Sequence, residues 1–236
     1  MSQTPSRLSD DELTALRQFD TCKLANAIEK LNLRLHNEGY TMPGLRCVTG
    51  SCDSVLGFAA TSRVRCGDPP LRGSSFQDVA EWWAYLERQP WPRIAVIEDI
   101  DPQPARGAVL SDVHAEILRA LGCIGVVTNG AVRDVPALGE MNFPAFADQV
   151  TISHAYVHLV EYGTPVNIHG LPIDPADLIY ADIHGVLSIP VGSVGDIVRL
   201  AREGTRREAR VIDLCRSAEF SFERLYAEMH DLEINR

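Results

Sequence analysis

Three residues carry the most suggestive chemistry in the sequence. Arg133 and Asp134 stand side by side after an apolar run, and Asp112 lies upstream with twenty residues between it and Arg133. An arginine grips a carboxylate through two parallel hydrogen bonds. An aspartate offers hard oxygen ligands to Mg2+ or Mn2+, and because Mg2+ keeps several waters, one or two protein carboxylates are enough to hold it. The set suits a small, anionic, oxygen-rich substrate bound with a divalent cation. An Arg-Asp dipeptide on an open surface is a solvated pair worth little, so the reading depends on where the fold puts these residues.

The elements that position them form a βαβ unit. Ile94-Ala95-Val96-Ile97 is followed by an irregular loop, then a helix, then Ile124-Gly125-Val126-Val127, which is the order such a unit requires. The helix is predicted to start near Ser111-Asp112, to bury Val113, Ile117, Leu118 and Leu121 on one face, and to end at Gly122. A right-handed crossover makes the two strands parallel, and ligands of open α/β sheets collect at the carboxyl ends of such strands. About ten helical residues travel ~15 Å, and five or six strand residues return a similar distance at about 3.3 Å each. Asp112 and Arg133-Asp134 are therefore expected as neighbours, beside the backbone N–H groups of a helix start.

Elsewhere, Ser9 with Glu12 reads as a capping box opening a helix through Leu13, Leu16 and Phe19, and a second helix carries Leu24, Ala27, Ile28 and Leu31. Val55 to Thr61 reads as a buried strand interrupted by Gly57, and Phe76 to Leu86 as a helix whose Trp82 and Trp83 pack on neighbours, ended by Pro90 and Pro92. After Asp134 the pattern predicts strands within Val150 to Val160, at Leu178 to Ala181 and at Gly185 to Pro190. The chain is helical from Ser193, with Phe222, Leu225, Tyr226 and Met229 on one face. The organisation expected is one domain over 1–236, with an N-terminal helical arm (1–18) and a C-terminal helical extension (202–236).

With 236 residues, 45% hydrophobic and 23% charged, the chain has enough apolar residues for a substantial core. A formal charge of −10 and the lack of any Lys/Arg cluster argue against nucleic acid or an anionic membrane as partner. Met1 to Ser9 has no apolar leader core and no run approaches about twenty apolar residues, so a cytoplasmic location is expected. Six scattered cysteines (Cys22, Cys47, Cys52, Cys66, Cys123 and Cys215) without CxxC spacing read as reduced thiols. His154 and His158 lack the glutamate of a helical zinc motif, and no Gly-rich nucleotide loop opens a helix after a strand. Glu98, Asp99 and Asp101 read as a solvated acidic loop, with a second metal site as the alternative.

The spacing of Asp112, Arg133 and Asp134 resembles the D-x20-R-D motif of the class II pyruvate aldolases known as 4-hydroxy-4-methyl-2-oxoglutarate (HMG) aldolases, within the RraA-like family. Gly122 to Asp134 is similar to that family's GxxGVVxDGxxRD segment, and Asp177 to Pro190 to its GDxxxxDxxGVxxIP segment. The likeness covers about Phe19 to Ala201. It implies a β/β/α swivelling-type α/β fold with flanking N- and C-terminal helices, assembled as a homotrimer or homohexamer with sites near subunit boundaries. It also implies that Asp134 binds the metal (Mg2+ or Mn2+), that Arg133 contacts the oxo and carboxylate oxygens, and that Ser111, Asp112, Val113 and His114 form the loop receiving the carboxylate. Asp112 would orient a metal-bound water or Arg133. The activity implied is C–C cleavage of a small 2-oxo acid to release pyruvate, and oxaloacetate decarboxylation would pass through the same pyruvate enolate. The alternative within the resemblance is a non-enzymatic protein that binds and regulates a ribonuclease; such regulators can lack the acid after the arginine. The chain departs from the family pattern at Ser111, Val113, His114, Asn26 and Ala176.

Overall fold

The computed structural model describes residues 8–50, 54–71 and 79–234; Cys52 and Phe76 lie outside them. The chain runs α1 (Asp10–Leu16), α2 (Thr21–Lys30), β1 (Arg46–Cys47), β2 (Val55–Arg65), α3 (Val79–Arg88), β3 (Arg93–Asp99), β4 (Ala108–Leu110), α4 (Asp112–Ala120), β5 (Cys123–Val132), α5 (Val135–Glu140) and β6 (Ala145–Val150). It continues through β7 (His158–Tyr162), β8 (Val166–Ile168), β9 (Leu171–Ile173), β10 (Leu178–Asp182), β11 (Gly185–Ser188), α6 (Val194–Arg216) and α7 (Phe222–Ile234). Two compact units result: residues 37–190, and a helical unit of residues 1–36 with 191–236.

In the larger unit nine of the described strands form the main sheet in the order β1-β6-β5-β3-β2-β10-β11, with β4 added beside β5 and β7 beside β2, and β8 pairs with β9 in a second, two-stranded sheet. The centre is parallel: β2 pairs β3, β3 pairs β5, and β5 pairs β6. Alternation sorts the side chains to two faces. Ala60, Val64, Ala95, Ile97 and Val126 pack with Trp82 and Leu86 of α3, Ala115 and Leu118 of α4 and Leu138 of α5. Val55, Ala59, Ile94, Val96 and Val127 pack on the other side with Val166, Ile168, Leu171 and Ile173 of the β8–β9 hairpin. Helices, main sheet and small sheet make the three layers of an α/β sandwich. Arg93, at the start of β3, donates through Nη1 to the carbonyls of Leu86 and Leu121 (2.7 and 2.9 Å). A cation thus closes the carboxyl ends of both α3 and α4, where the helix dipole favours positive charge.

In the helical unit, α1 opens with the expected reciprocal box: the Ser9 side chain accepts from the Glu12 N–H while the Glu12 carboxylate accepts from the Ser9 N–H. Leu24, Ala27 and Ile28 of α2 and Val194, Ile197 and Ala201 of α6 are buried, and α2 packs on α6. Each fully buried leucine or isoleucine there is worth about 2 kcal/mol. Among the described residues no helix is long and apolar enough to cross a membrane.

Several local expectations are corrected. A helix, α5, and a strand, β6, occupy 135–150, between Asp134 and the first strand anticipated after it. Pro136 sits in the first turn of α5, a position where its missing N–H has no intrahelical partner to lose. Val113 is 66% exposed, because Ala115 and Leu118 set the inward face of α4. Cys22, Cys66, Cys123 and Cys215 form no disulfide, whereas Cys47 is disulfide-bonded, against the reduced state expected for it.

Candidate active site at the paired ends of two strands

β3 runs beside the first half of β5, from Arg93 opposite Cys123 to Ile97 opposite Thr128. The chain then leaves the sheet and returns as the three-residue β4, which pairs with the last residues of β5: Ala108 opposite Ala131 and Leu110 opposite Val132. This return strand was not foreseen in the sequence, being only Ala-Val-Leu. Its effect is direct. Ser111 and Asp112 follow Leu110, and Arg133 and Asp134 follow Val132, so the two arms of the motif emerge together. The Arg133 N–H donates to the Leu110 carbonyl (3.0 Å), extending the ladder to the point of departure.

The loop that makes this return possible is held by the acidic residues. Asp101 Oδ2 accepts from the N–H groups of Cys66 (2.7 Å) and Gly67 (2.6 Å). Asp99 accepts from Asp101 N–H through Oδ1 (3.1 Å) and from Ala105 N–H through Oδ2 (2.8 Å). Asn129 on β5 clasps the Asp99 backbone from both sides, its Oδ1 accepting from the Asp99 N–H (2.7 Å) and its amide donating to the Asp99 carbonyl (3.0 Å). Asp99 and Asp101 are buried and Glu98 pairs with Arg63 (2.8 Å), which corrects the solvated loop of the sequence reading. Gly107 then passes the His154 carbonyl so closely that a Cβ would come within 2.4 Å of its oxygen.

Asp134 adopts the left-handed conformation (φ 54°, ψ 32°) and stands at the N-cap of α5 without capping it through its side chain. Its carboxylate turns instead to Arg133, accepting from Nε through Oδ2 at 3.0 Å. Both side chains are about one third exposed, 34% and 33%. Arg133 Nη1 also reaches the Ile152 carbonyl at 3.3 Å. Ser111 is buried at the N-cap of α4 and makes no side-chain cap bond. Asp112 Oδ1 accepts from the N–H of Val113 (2.7 Å). His114 is turned inward, its ring edge-on to Trp82 (5.5 Å) and its Nδ1 on the Val109 carbonyl (3.1 Å). Burial holds its pKa below the ordinary histidine value, partly offset by the Val109 contact. His154 and His158 likewise bond to backbone carbonyls, of Ala108 (2.9 Å) and Tyr156 (2.7 Å).

Two donor sets could be considered for a divalent cation. Cys66, Asp99 and Asp101 place ligand atoms within 4.8 Å of one another. Their carboxylates already serve backbone N–H groups, and burial first, then the nearby Asp99 and Asp101 charges, push the Cys66 thiol up to about 12. Asp134 is the other: it is partly exposed, makes no side-chain cap bond, pairs with Arg133 Nε, and offers hard oxygen of the kind that Mg2+ or Mn2+ accepts alongside water. Asp112 starts the helix that follows Leu110, the residue paired with Val132 in the ladder.

The aldolase/RraA family model, described as RraA-like, matches residues 21–188. The chain belongs to the RraA-like family. A Halalkalibacterium halodurans relative named "Putative 4-hydroxy-4-methyl-2-oxoglutarate aldolase" is 28% identical to this RraA-like chain over 199 residues, 84% of this chain and 85% of the relative. An uncharacterized protein from Pseudomonas syringae has the same fold, with a TM-score of 0.73 at 21% identity, covering 96% of this chain and 98% of that one. Streptomyces coelicolor RraAS2, described as an unusual member of the RNase ES inhibitor RraA protein family, aligns with a TM-score of 0.67 at 23% identity over 86% of this chain and 96% of that one. The RraA-like β/β/α architecture expected from the motifs is thus the architecture observed.

Proposed function

We propose that this RraA-like protein is a divalent-metal-dependent lyase that cleaves a C–C bond of a small 2-oxo acid and releases pyruvate. The observation that carries the reading is the pairing of Leu110 with Val132, which sends Ser111-Asp112 and Arg133-Asp134 out of the sheet together. Family membership and the 28% identical relative named as an HMG aldolase support it.

Retro-aldol cleavage breaks the C3–C4 bond. Its electron pair becomes the enolate of pyruvate, the C4 hydroxyl loses its proton, and the fragment leaves as an aldehyde or ketone. A divalent cation held by Asp134 would supply positive charge to the 2-oxo and carboxylate oxygens. Arg133 orients those oxygens and donates to the one on which charge develops, a contact that strengthens toward the transition state. The first turn of α4, Ser111 to His114, presents backbone N–H groups and the positive end of the helix dipole to the carboxylate. In this reading His114 serves through its backbone, its ring being packed on Trp82. Asp112 positions the guanidinium, or a water that takes up the proton of the C4 hydroxyl as its oxygen becomes the carbonyl of the departing fragment. Decarboxylation of oxaloacetate passes through the same enolate, so the same residues would serve it.

The test is pyruvate release from HMG and from oxaloacetate, coupled to lactate dehydrogenase, with Mg2+ or Mn2+ and with EDTA. Metal-dependent release that is lost in Asp134→Ala is the expected result. No pyruvate from these or from a 4-hydroxy-2-oxo monocarboxylate, or full activity in Asp134→Ala, would overturn the reading. A protein acting only by binding a ribonuclease would inhibit that enzyme without metal and release no pyruvate.

A further inference from the structure

An open cleft lies between α4 and α5, lined by Asp112, Val113, Glu116, Ala137, Glu140 and Met141. It shares Asp112 and Val113 with the proposed site. Asp112 and Glu116 are one turn apart on the same face of α4. Asp134 opens α5, and Ala137 and Met141 follow it at helical spacing. A ligand whose oxo-acid end reached Arg133 and Asp134 would extend along this cleft. It would meet the apolar side chains of Val113, Ala137 and Met141, and then the carboxylates of Glu116 and Glu140.

The charge of the cleft is unbalanced. Three of its lining residues, Asp112, Glu116 and Glu140, carry carboxylates and none carries a cation, Arg119 standing beside Glu116. Arg119 lies 3.6 Å from Glu116, donates to the Met141 carbonyl, and stacks its guanidinium over Phe143 at 5.7 Å. The Asp112 carboxylate, for its part, accepts from the Val113 N–H. The site end can accept one substrate carboxylate through Arg133 and the α4 N-terminus, whereas the cleft has an excess of negative charge and an apolar lining.

We propose that the leaving fragment of the substrate lies in the α4–α5 cleft and carries no carboxylate, with Glu116 and Glu140 selecting against a second negative charge. This rests on the lyase reading and narrows it: the substrate class is a 4-hydroxy-2-oxo monocarboxylic acid with an uncharged apolar tail. Dicarboxylates such as HMG and oxaloacetate are then poorer substrates of this chain.

A matched pair of substrates tests it. HMG and 4-hydroxy-4-methyl-2-oxopentanoate differ only in a carboxylate replaced by a methyl group at the end of the leaving fragment. With the purified full chain and Mg2+, kcat/KM is expected to favour the methyl compound by about tenfold or more, the size of like-charge repulsion across several ångströms near a protein surface. In the Glu116→Gln/Glu140→Gln double variant the ratio should fall by at least about threefold, chiefly through better use of HMG. Both side chains are at the surface, and an unchanged thermal midpoint will show that the variant is folded. Equal or better use of HMG by the native chain overturns the inference while leaving the lyase reading intact. A ratio that does not move in the double variant also overturns it. No pyruvate from either compound removes the lyase reading and this inference with it.

Discussion

The backbone N–H of Arg133 donates to the carbonyl of Leu110 at 3.0 Å, although 22 positions of sequence separate the two residues. Through that bond the end of β5 and the end of β4 are one ladder, and the residues that follow each strand are delivered side by side. The geometry of Asp112, Arg133 and Asp134 is therefore a property of the sheet.

Removing the guanidinium should leave the fold and cost the chemistry. Arg133→Ala is expected to lower kcat/KM for pyruvate release by about a hundredfold or more, about 3 kcal/mol, by comparison with the loss of an oxyanion-stabilising donor. Arg133 is one third exposed, so the thermal midpoint should stay within a few degrees of the native value. Steady-state kinetics and calorimetry of the same preparation check both halves.

Asp134→Asn keeps the shape of the side chain and removes its charge. Titration calorimetry with Mn2+ should show binding to the native chain and its loss in the variant. The Asp101→Asn variant, altered in the buried loop, should retain Mn2+ binding if Asp134 holds the ion. Loss of binding in Asp101→Asn alone would transfer the metal site to the Cys66–Asp99–Asp101 cluster.

Gly107→Ala places a methyl group 2.4 Å from the His154 carbonyl oxygen. Overpacking of this kind costs about 1–3 kcal/mol, and a chain of this length loses roughly 2–4 °C in Tm for each kcal/mol. Because Gly107 immediately precedes β4, activity should fall further than stability. Thermal unfolding and kinetics of the variant measure the two effects.

Stability should decline in mild acid through His114. Burial lowers its pKa in the folded chain below the ordinary value of 6.5. As pH falls through that value the unfolded chain takes up a proton that the folded chain refuses, so the stability fully present above pH 6.5 is lost progressively below it. Urea unfolding of the native chain and of His114→Gln at pH 7.5, 6.5 and 5.5 should show a smaller pH dependence in the variant. Parallel curves would assign the acid sensitivity to other groups.

Thiol reactivity should follow burial. Cys66 and Cys123 are buried and their pKa values pushed up to about 12, chiefly by desolvation, while Cys22 and Cys215 are exposed. Brief alkylation of the native chain at pH 8 should label Cys22 and Cys215 and spare Cys66 and Cys123 until urea is added. Peptide mass spectrometry reads the pattern directly.

Much of this was legible in residue order. The apolar runs of β3 and β5, the Gly122 stop and the strand–helix–strand succession required a parallel pair with its loops at one edge, because hydrophobic period and chirality act locally. The capping box at Ser9 and Glu12 was equally local. What the chain order did not disclose were the contacts made at long range. The three residues of β4 are too short to show a period, and they become a strand only because the edge of β5 beyond Thr128 would otherwise lack a partner. Acidic residues at 99 and 101 read as solvated by type, and only folding shows their carboxylates buried on the N–H groups of Cys66, Gly67 and Ala105. The inward turn of His114 and the outward place of Val113 reverse what side-chain polarity suggests, since the rotation of α4 is fixed by Ala115 and Leu118 packing on the sheet. The sequence by itself determined which chemical groups exist and that a parallel strand pair presents them. Tertiary structure decided which carboxylates stay accessible and which are consumed by backbone donors, because a buried oxygen must be paired and the partners come from distant strands.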